Sequence, residues 1–298
     1  METLRFGEVT VDRLVKAEGL SFFSGFLLPD SDDEALAAQR PWLEPQFFDG
    51  VSGRLVMSVH CYVIRTARHT ILVDTCVGNH KERPSTPPWH RMETPWLANL
   101  AAAGVAPEEV DFVLCTHLHV DHVGWNTRLR DGRWVPTFPN ARYLFHRVEY
   151  EHWEATDDFG SGTGAGDGCF ADSVLPVMEA GQALLVAGDH QIDDNLWLGP
   201  SPGHSPGHVC LYLSAGGGRA VFSGDLMHHP VQCAHPEWNS RFCHDPELAR
   251  ATRHDFLDRH AETDITVLAA HFAAPTAGRI VAAGARCRFR TRAEPGSS

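Results

Sequence analysis

No apolar run in the 298-residue chain approaches the ~18–20 residues that a membrane-crossing helix needs. The opening segment, Met1-Glu2-Thr3-Leu4-Arg5-Phe6-Gly7-Glu8, lacks a basic stretch followed by an apolar one. No signal peptide is therefore expected, and a cytoplasmic location follows, with no membrane partner. Positive charge is also scarce. Twenty-five Lys and Arg face 38 Asp and Glu, and the net charge of −13 argues against a nucleic-acid partner. It disfavours polyanionic substrates too, unless metal cations reverse the field locally. The eight cysteines form no Cys-x-x-Cys pair, and Cys61, Cys115 and Cys210 sit inside apolar strand-like runs, so buried reduced thiols are expected. Gly160 to Gly168 lacks the Gly-Lys-Ser/Thr ending and preceding strand of a phosphate loop. It reads as a surface loop, with a mobile flap as the alternative.

What is present is an ordinary globular composition, 43% hydrophobic and 21% charged, long enough for a substantial core. A single domain over residues 1–298 is expected, fraying from about residue 292. Val9 to Val15 alternates as a strand. Val59 to Arg65 and Ile71 to Asp74 flank Thr66-Ala67-Arg68-His69-Thr70 as a hairpin. A Pro-, His- and Arg-rich loop spans residues 78 to 93. Thr94 as N-cap and Pro95 as first helical residue open a helix closed by Gly104. Residues 147–155 read as helix, as do 246–262, entered through Asp245 and Pro246 with Leu248, Thr252 and Phe256 on one face.

Four apolar segments each end near a metal-capable side chain: Phe112 to Cys115 before His117, Leu196 to Leu198 before His204, Ala220 to Phe222 before Asp225, and Ile265 to Leu268 before His271. Buried strands delivering polar side chains at their ends are how a layered α/β fold builds a site on a rigid frame. The densest cluster is Thr116-His117-Leu118-His119-Val120-Asp121-His122. In a loop leaving a strand, His117 and His119 can bite one ion while Asp121 and His122 turn to a second. Imidazoles with one or two carboxylates suit Zn²⁺, Fe²⁺, Mn²⁺ or Co²⁺ better than Ca²⁺ or Mg²⁺. Two such ions can hold a hydroxide between them at neutral pH. The chain has 19 histidines, yet this spacing would arise by chance only roughly 0.5% of the time. Pro202-Gly203-His204-Ser205-Pro206-Gly207-His208, Ser223-Gly224-Asp225 and Ala269-Ala270-His271-Phe272 reduce the chance reading further.

This order of motifs resembles the metallo-β-lactamase superfamily over nearly the whole chain. The resemblance implies an α/β fold, a four-layer αβ/βα sandwich with the metal site at the edge of its two sheets. It implies two divalent transition-metal ions, zinc first, with Fe, Mn or Co as alternatives. His117, His119 and His204 would bind one ion, Asp121, His122 and His271 the other, and Asp225 would bridge. True β-lactamases of the superfamily generally lack the complete set with His122 and Asp225, so antibiotic hydrolysis is not expected. Asp74, in Ile71-Leu72-Val73-Asp74-Thr75, matches a strand-end Asp that would orient a ligand imidazole; a turn-capping Asp is the other reading. His208 reads as structural, since the seven ligand positions are already filled.

The segments 116–126, 224–232 and 270–278 resemble the quorum-quenching lactonase and organophosphate-hydrolase branch. The function expected is opening of a lactone or cleavage of an ester, N-acyl homoserine lactonase-like, with Asp121, Asp225 and His228 in the chemistry. In many such lactonases a tyrosine lies three residues after the bridging Asp. Here that position holds His228, whose imidazole can still donate a hydrogen bond or proton. Met227, Trp125, Phe272 and Trp238 are candidates for an apolar substrate wall or for plain core. The partner is a small-molecule ester or lactone, and a homodimer is one assembly open to the chain.

An organophosphate or aryl-ester hydrolase is the alternative reading. A glyoxalase II-type thioester hydrolase would share all seven ligands but usually adds a helical domain after the last, and only 27 residues follow His271. Flavo-diiron proteins replace one motif histidine with Glu, and persulfide dioxygenases bind one iron through fewer ligands. A binding module that has lost catalysis conflicts with a complete ligand set. A nuclease would need a basic groove or an extra inserted domain, and the chain's acidity weighs against it.

Overall fold

The computed structural model describes residues 3–156 and 166–292. The loop expected over Gly160–Gly168 lies outside the described residues up to position 165, as does the expected frayed tail from 293 on. The chain divides into two compact units, one of residues 1–16 and 60–190, the other of residues 17–59 and 191–298.

Most of the first unit's strands lie in an eight-stranded sheet. Its neighbour order is Thr3–Phe6, Val9–Phe22, Arg54–Arg65, Thr70–Val73, Phe112–Leu114, Arg142–His146 and Ala183–Val186, with Phe48–Asp49 paired to Arg54–Arg65. Val9–Phe22 and Arg54–Arg65 continue along the chain into the second unit. The expected hairpin forms, with Arg65 opposite Thr70. The four strands from Thr70 onward pair in parallel. Such strands are buried on both faces, hence the unbroken apolar runs Ile71-Leu72-Val73 and Phe112-Val113-Leu114.

Residues 78–93 form an irregular loop with one short helical turn at Pro87–Trp89. The next helix runs Trp96–Ala102 with Pro95 as its N-cap, one residue later than expected. Thr94 does not cap it, because its N–H and hydroxyl both donate to Asn79 Oδ1. The loop is rooted by a close backbone crossing. Gly78 sits at φ +80, and a Cβ on Gly124 would meet the carbonyl carbon of Val77 at 1.8 Å. Farther along, two fully buried cations share one carboxylate. Arg83 donates to both oxygens of Asp172 at 2.7 and 2.9 Å. Lys81 Nζ donates to Thr127 Oγ1 at 2.6 Å and lies 3.6 Å from the Trp134 ring centre. Burial brings the Lys81 amine down to about 7, against the pull of Asp172.

The second unit carries a seven-stranded sheet in the order Gln191–Asp193, Leu196–Pro200, Val209–Ala215, Gly218–Gly224, Thr266–Ala269, Ala277–Ala283 and Arg286–Thr291. All neighbours are antiparallel except Gly218–Gly224 and Thr266–Ala269. That parallel pair is joined through the helix Pro246–His260, whose start is capped by Asp245 accepting from Glu247 N–H and Leu248 N–H. The buried face of this helix is Ala249, Arg253, Phe256, Leu257 and His260, while Leu248 is exposed. Of the expected face Phe256 is buried and Thr252 half-buried, while Leu248 gives way to Ala249, because a buried Arg and His take positions that a hydrophobic pattern assigns to solvent.

Phe47, Phe272 and Phe289 meet edge to face in this unit's core, with centroids 5.0–6.4 Å apart. Met227, Phe272 and Trp238 belong to the same core, and in the first unit Trp125 is buried and stacked on Trp96 at 5.3 Å. All four are packed core side chains, in keeping with the second of their two expected readings.

Candidate metal centre

In the first unit the strand Phe112–Leu114 hands the chain to the loop 116–122. Asp74 ends the neighbouring parallel strand in the left-handed region at φ 62. This turns its carboxylate onto the loop. Thr116 N–H donates to Oδ1 at 2.8 Å, the Thr116 hydroxyl to Oδ2 at 2.9 Å, and His122 Nδ1–H to Oδ2 at 2.8 Å. With Nδ1 committed, Nε2 of His122 is the nitrogen that can face a metal, as in metal-binding imidazoles oriented by a carboxylate. Its Nε2 lies 3.6 Å from Asp121 Oδ1. The ligand atoms of His117 and His119 come within 4.8 Å of each other.

The Leu118 peptide between those two histidines is clamped on both sides. Its N–H donates to the buried Glu149 at 3.0 Å, and its carbonyl accepts from the Cys169 thiol at 3.3 Å. Trp153 donates to the same Glu149 oxygen and sets its ring edge against His119. Lys16 is half-buried with its amine 5.7 Å from the Trp89 ring; burial lowers its pKa, opposed by the charges of Cys76 and Asp121.

In the second unit Asp225 follows the strand Gly218–Gly224 and stands among three imidazoles. His204 Nε2 lies 3.4 Å from its Oδ2, His228 Nε2 3.3 Å from Oδ2, and His271 Nε2 3.2 Å from Oδ1. Again Nδ1 faces protein. His271 Nδ1–H donates to Ser58 O at 3.0 Å, and His204 Nδ1 faces Cys243 Sγ at 3.9 Å. Ser58 N–H bonds back to His271 O, so the Arg54–Arg65 strand fixes this ligand's backbone as well as its ring. His228 Nε2 also meets Ser240 Oγ at 3.3 Å. Burial raises the Cys243 thiol to about 11, so it stays protonated at neutral pH.

All the singled-out histidines and Asp225 are buried, and Asp121 is partly exposed. Buried imidazoles and carboxylates with Nε2 atoms aimed together are a donor set for a borderline divalent cation, and they fit zinc-type ions rather than calcium. The eight cysteines are free thiols, six of them buried. Glu149, Cys169, Ser240, Cys243 and Ser58 were missed by the sequence reading. Each lies at least 12 residues from the side chain or peptide it touches, and none stands in a metal-type spacing.

Among the described residues no helix is long and apolar enough to cross a membrane. A curated N-acyl homoserine lactonase of Bacillus cereus is 26% identical over 171 residues, which are 53% of this chain and 59% of the relative. One from Azorhizobium caulinodans is 32% identical over 131 residues, 44% of each chain. The chain thus aligns with only about half the length of these relatives. Among solved structures, the hydrolase AbOPH of the beta-lactamase superfamily superposes with a TM-score of 0.78 at 23% identity, covering 97% of this chain and 96% of that one. AidC, a dizinc quorum-quenching lactonase solved with its product, gives 0.76 at 20% identity over 98% and 97%. These likenesses show the mixed α/β metallo-β-lactamase fold. Residues 54–271 match the model of the metallo-beta-lactamase superfamily, and the chain belongs to that superfamily.

Proposed function

We propose that the chain is a metal-dependent hydrolase of lactones or esters, with N-acyl homoserine lactones as its first substrate class. The observation that carries the reading is the repeated ring geometry, in which Nδ1 of His122 and of His271 is held by a protein oxygen while Nε2 points to a second carboxylate, Asp121 or Asp225. On this reading His117, His119 and His204 hold one divalent ion, Asp121, His122 and His271 a second, and Asp225 serves both. Residues 54–271, which match the superfamily model, include all seven of these donors, and that supports the grouping.

Bound there, such ions supply a Lewis acid for the carbonyl oxygen and a water acidified toward neutrality. The protein's part is to hold its donors still and to move a proton. Asp225 Oδ2 and His228 Nε2, 3.3 Å apart, can share that proton, and Ser240 keeps the imidazole beside the carboxylate. His228 then donates to the departing alkoxide, the role of a general acid. Asp121 is the most exposed of the seven donors.

Phosphotriester or aryl-ester hydrolysis is the second reading, favoured by an imidazole at 228. Metal analysis of the purified chain, with rates on acyl homoserine lactones, other lactones, aryl esters and phosphotriesters, tests both. About two transition-metal ions per chain and fastest turnover of a lactone are expected. Full activity with a single tightly bound ion would overturn the two-ion reading.

A further inference from the structure

The turn that carries His204 holds a second histidine that the proposed ligand set leaves unused. His208 is buried at 1% exposure. Its Nε2 accepts the backbone N–H of Asp225 at 3.0 Å. A ring nitrogen that accepts carries no proton, so the proton of the neutral imidazole is on Nδ1. Ser201 Oγ lies 2.8 Å away to accept it. Ser201 is itself locked: its N–H donates to His208 O at 2.9 Å, and the Cys210 thiol donates to its Oγ at 3.3 Å.

The neighbouring backbone explains why an imidazole is needed. The strand Gly218–Gly224 loses register against Thr266–Ala269 between Phe222 and Gly224, and Gly224 turns through φ 49. Asp225 N–H leaves the sheet ladder there while staying buried, and a buried donor must find an acceptor. A water could satisfy it without fixing its direction. A ring tied at its far nitrogen to Ser201 fixes both.

We propose that His208 is a positioning residue for Asp225, holding that backbone so that the carboxylate stays among the Nε2 atoms of His204, His228 and His271. The proposal rests on the metal-centre reading above and adds that the donor geometry is set from the backbone side of Asp225. Partners behind metal ligands alter metal affinity about 10–100-fold when removed.

The test uses the full chain, stripped of metal and titrated with Co²⁺, read by visible absorption and chelator competition. His208→Ala is expected to keep its circular dichroism, to lose about 10-fold or more in Co²⁺ affinity, and to change the absorption envelope. His208→Gln, whose amide oxygen can accept the Asp225 N–H, is expected to recover most of the loss. Wild-type affinity and spectrum in a folded His208→Ala chain would overturn the proposal. Should that variant not fold, imidazole ¹⁵N spectra of the unaltered chain decide: an unprotonated His208 Nε2 coupled to the Asp225 amide supports it, and a protonated Nε2 overturns it. Failure of the unaltered chain to bind Co²⁺ would overturn the metal-centre reading instead.

Discussion

The Nδ1 of His122 lies 2.8 Å from Oδ2 of Asp74, and the same carboxylate receives the backbone N–H of Thr116 through its other oxygen. One side chain thus orients a ligand ring and anchors the loop that carries it. Asp74→Ala removes both contacts and leaves a buried N–H without its acceptor, at a cost of about 1–3 kcal/mol. Zinc affinity is expected to fall about 10–100-fold. Chelator competition and urea unfolding measure the two losses, and unchanged zinc affinity in the folded variant would remove Asp74 from the centre.

His228 should separate chemistry from metal binding. As proton donor, its loss in His228→Ala is expected to lower kcat about 10²–10⁴-fold while the metal content stays at the wild-type level. Ser240→Ala, which removes only the hydroxyl beside Nε2, should cost much less. Steady-state kinetics paired with metal analysis checks this. A variant that loses its metal along with its rate would make His228 a ligand, not an acid.

His229 makes the fold acid-sensitive. Its Nδ1 accepts Val231 N–H at 3.2 Å and its Nε2–H donates to Phe47 O at 2.7 Å, so both nitrogens are committed to the neutral ring. Burial lowers its pKa to about 4, the bond to Phe47 opposing. The folded value lies below the unfolded one, so the unfolded chain binds more protons between about pH 6.5 and 4. The stabilisation is whole above pH 6.5 and lost as pH falls through 4, on the order of 3 kcal/mol. Unfolding free energies at pH 7.5 and 4.5 should differ more in wild type than in His229→Gln. Parallel pH slopes in the two chains would refute this.

The cations on Asp172 should prove unequal. Arg83 holds both carboxylate oxygens, whereas Lys81 lies 3.4 Å from one of them. Arg83→Met leaves a mostly buried carboxylate without its bidentate partner and is expected to cost about 3–5 kcal/mol. Lys81→Met removes an amine that burial already drives toward its neutral form, so its cost at pH 8 should be well under half as large. Equal losses in urea unfolding would contradict the asymmetry.

Much of the centre was legible in the sequence, because spacing is local information. His117, His119, Asp121 and His122 share one loop, and the strands before His204, Asp225 and His271 announce themselves by apolar runs closed with glycine or polar residues. Asp74 was expected to orient a ligand imidazole without that imidazole being identified, and the ring it meets is His122. What stayed hidden is tertiary. Glu149 meets Leu118 from 31 positions away, and His208 meets Asp225 from 17. A buried Arg253, bonded to the carbonyls of Leu226, Pro236 and Trp238, defeats a hydrophobicity pattern because backbone oxygens, invisible in composition, satisfy it.

The glycine pair at 78 and 124 limits how this chain can diverge. The root of the 78–93 loop and the exit of the 116–122 loop touch backbone to backbone, leaving no volume for even one methyl group. A side chain at either position would push on the segment that carries Asp121 and His122. Selection for new substrates can therefore lengthen, shorten or recolour the loop beyond residue 78. Its point of attachment is closed to change, and a mutant library should leave those two codons untouched.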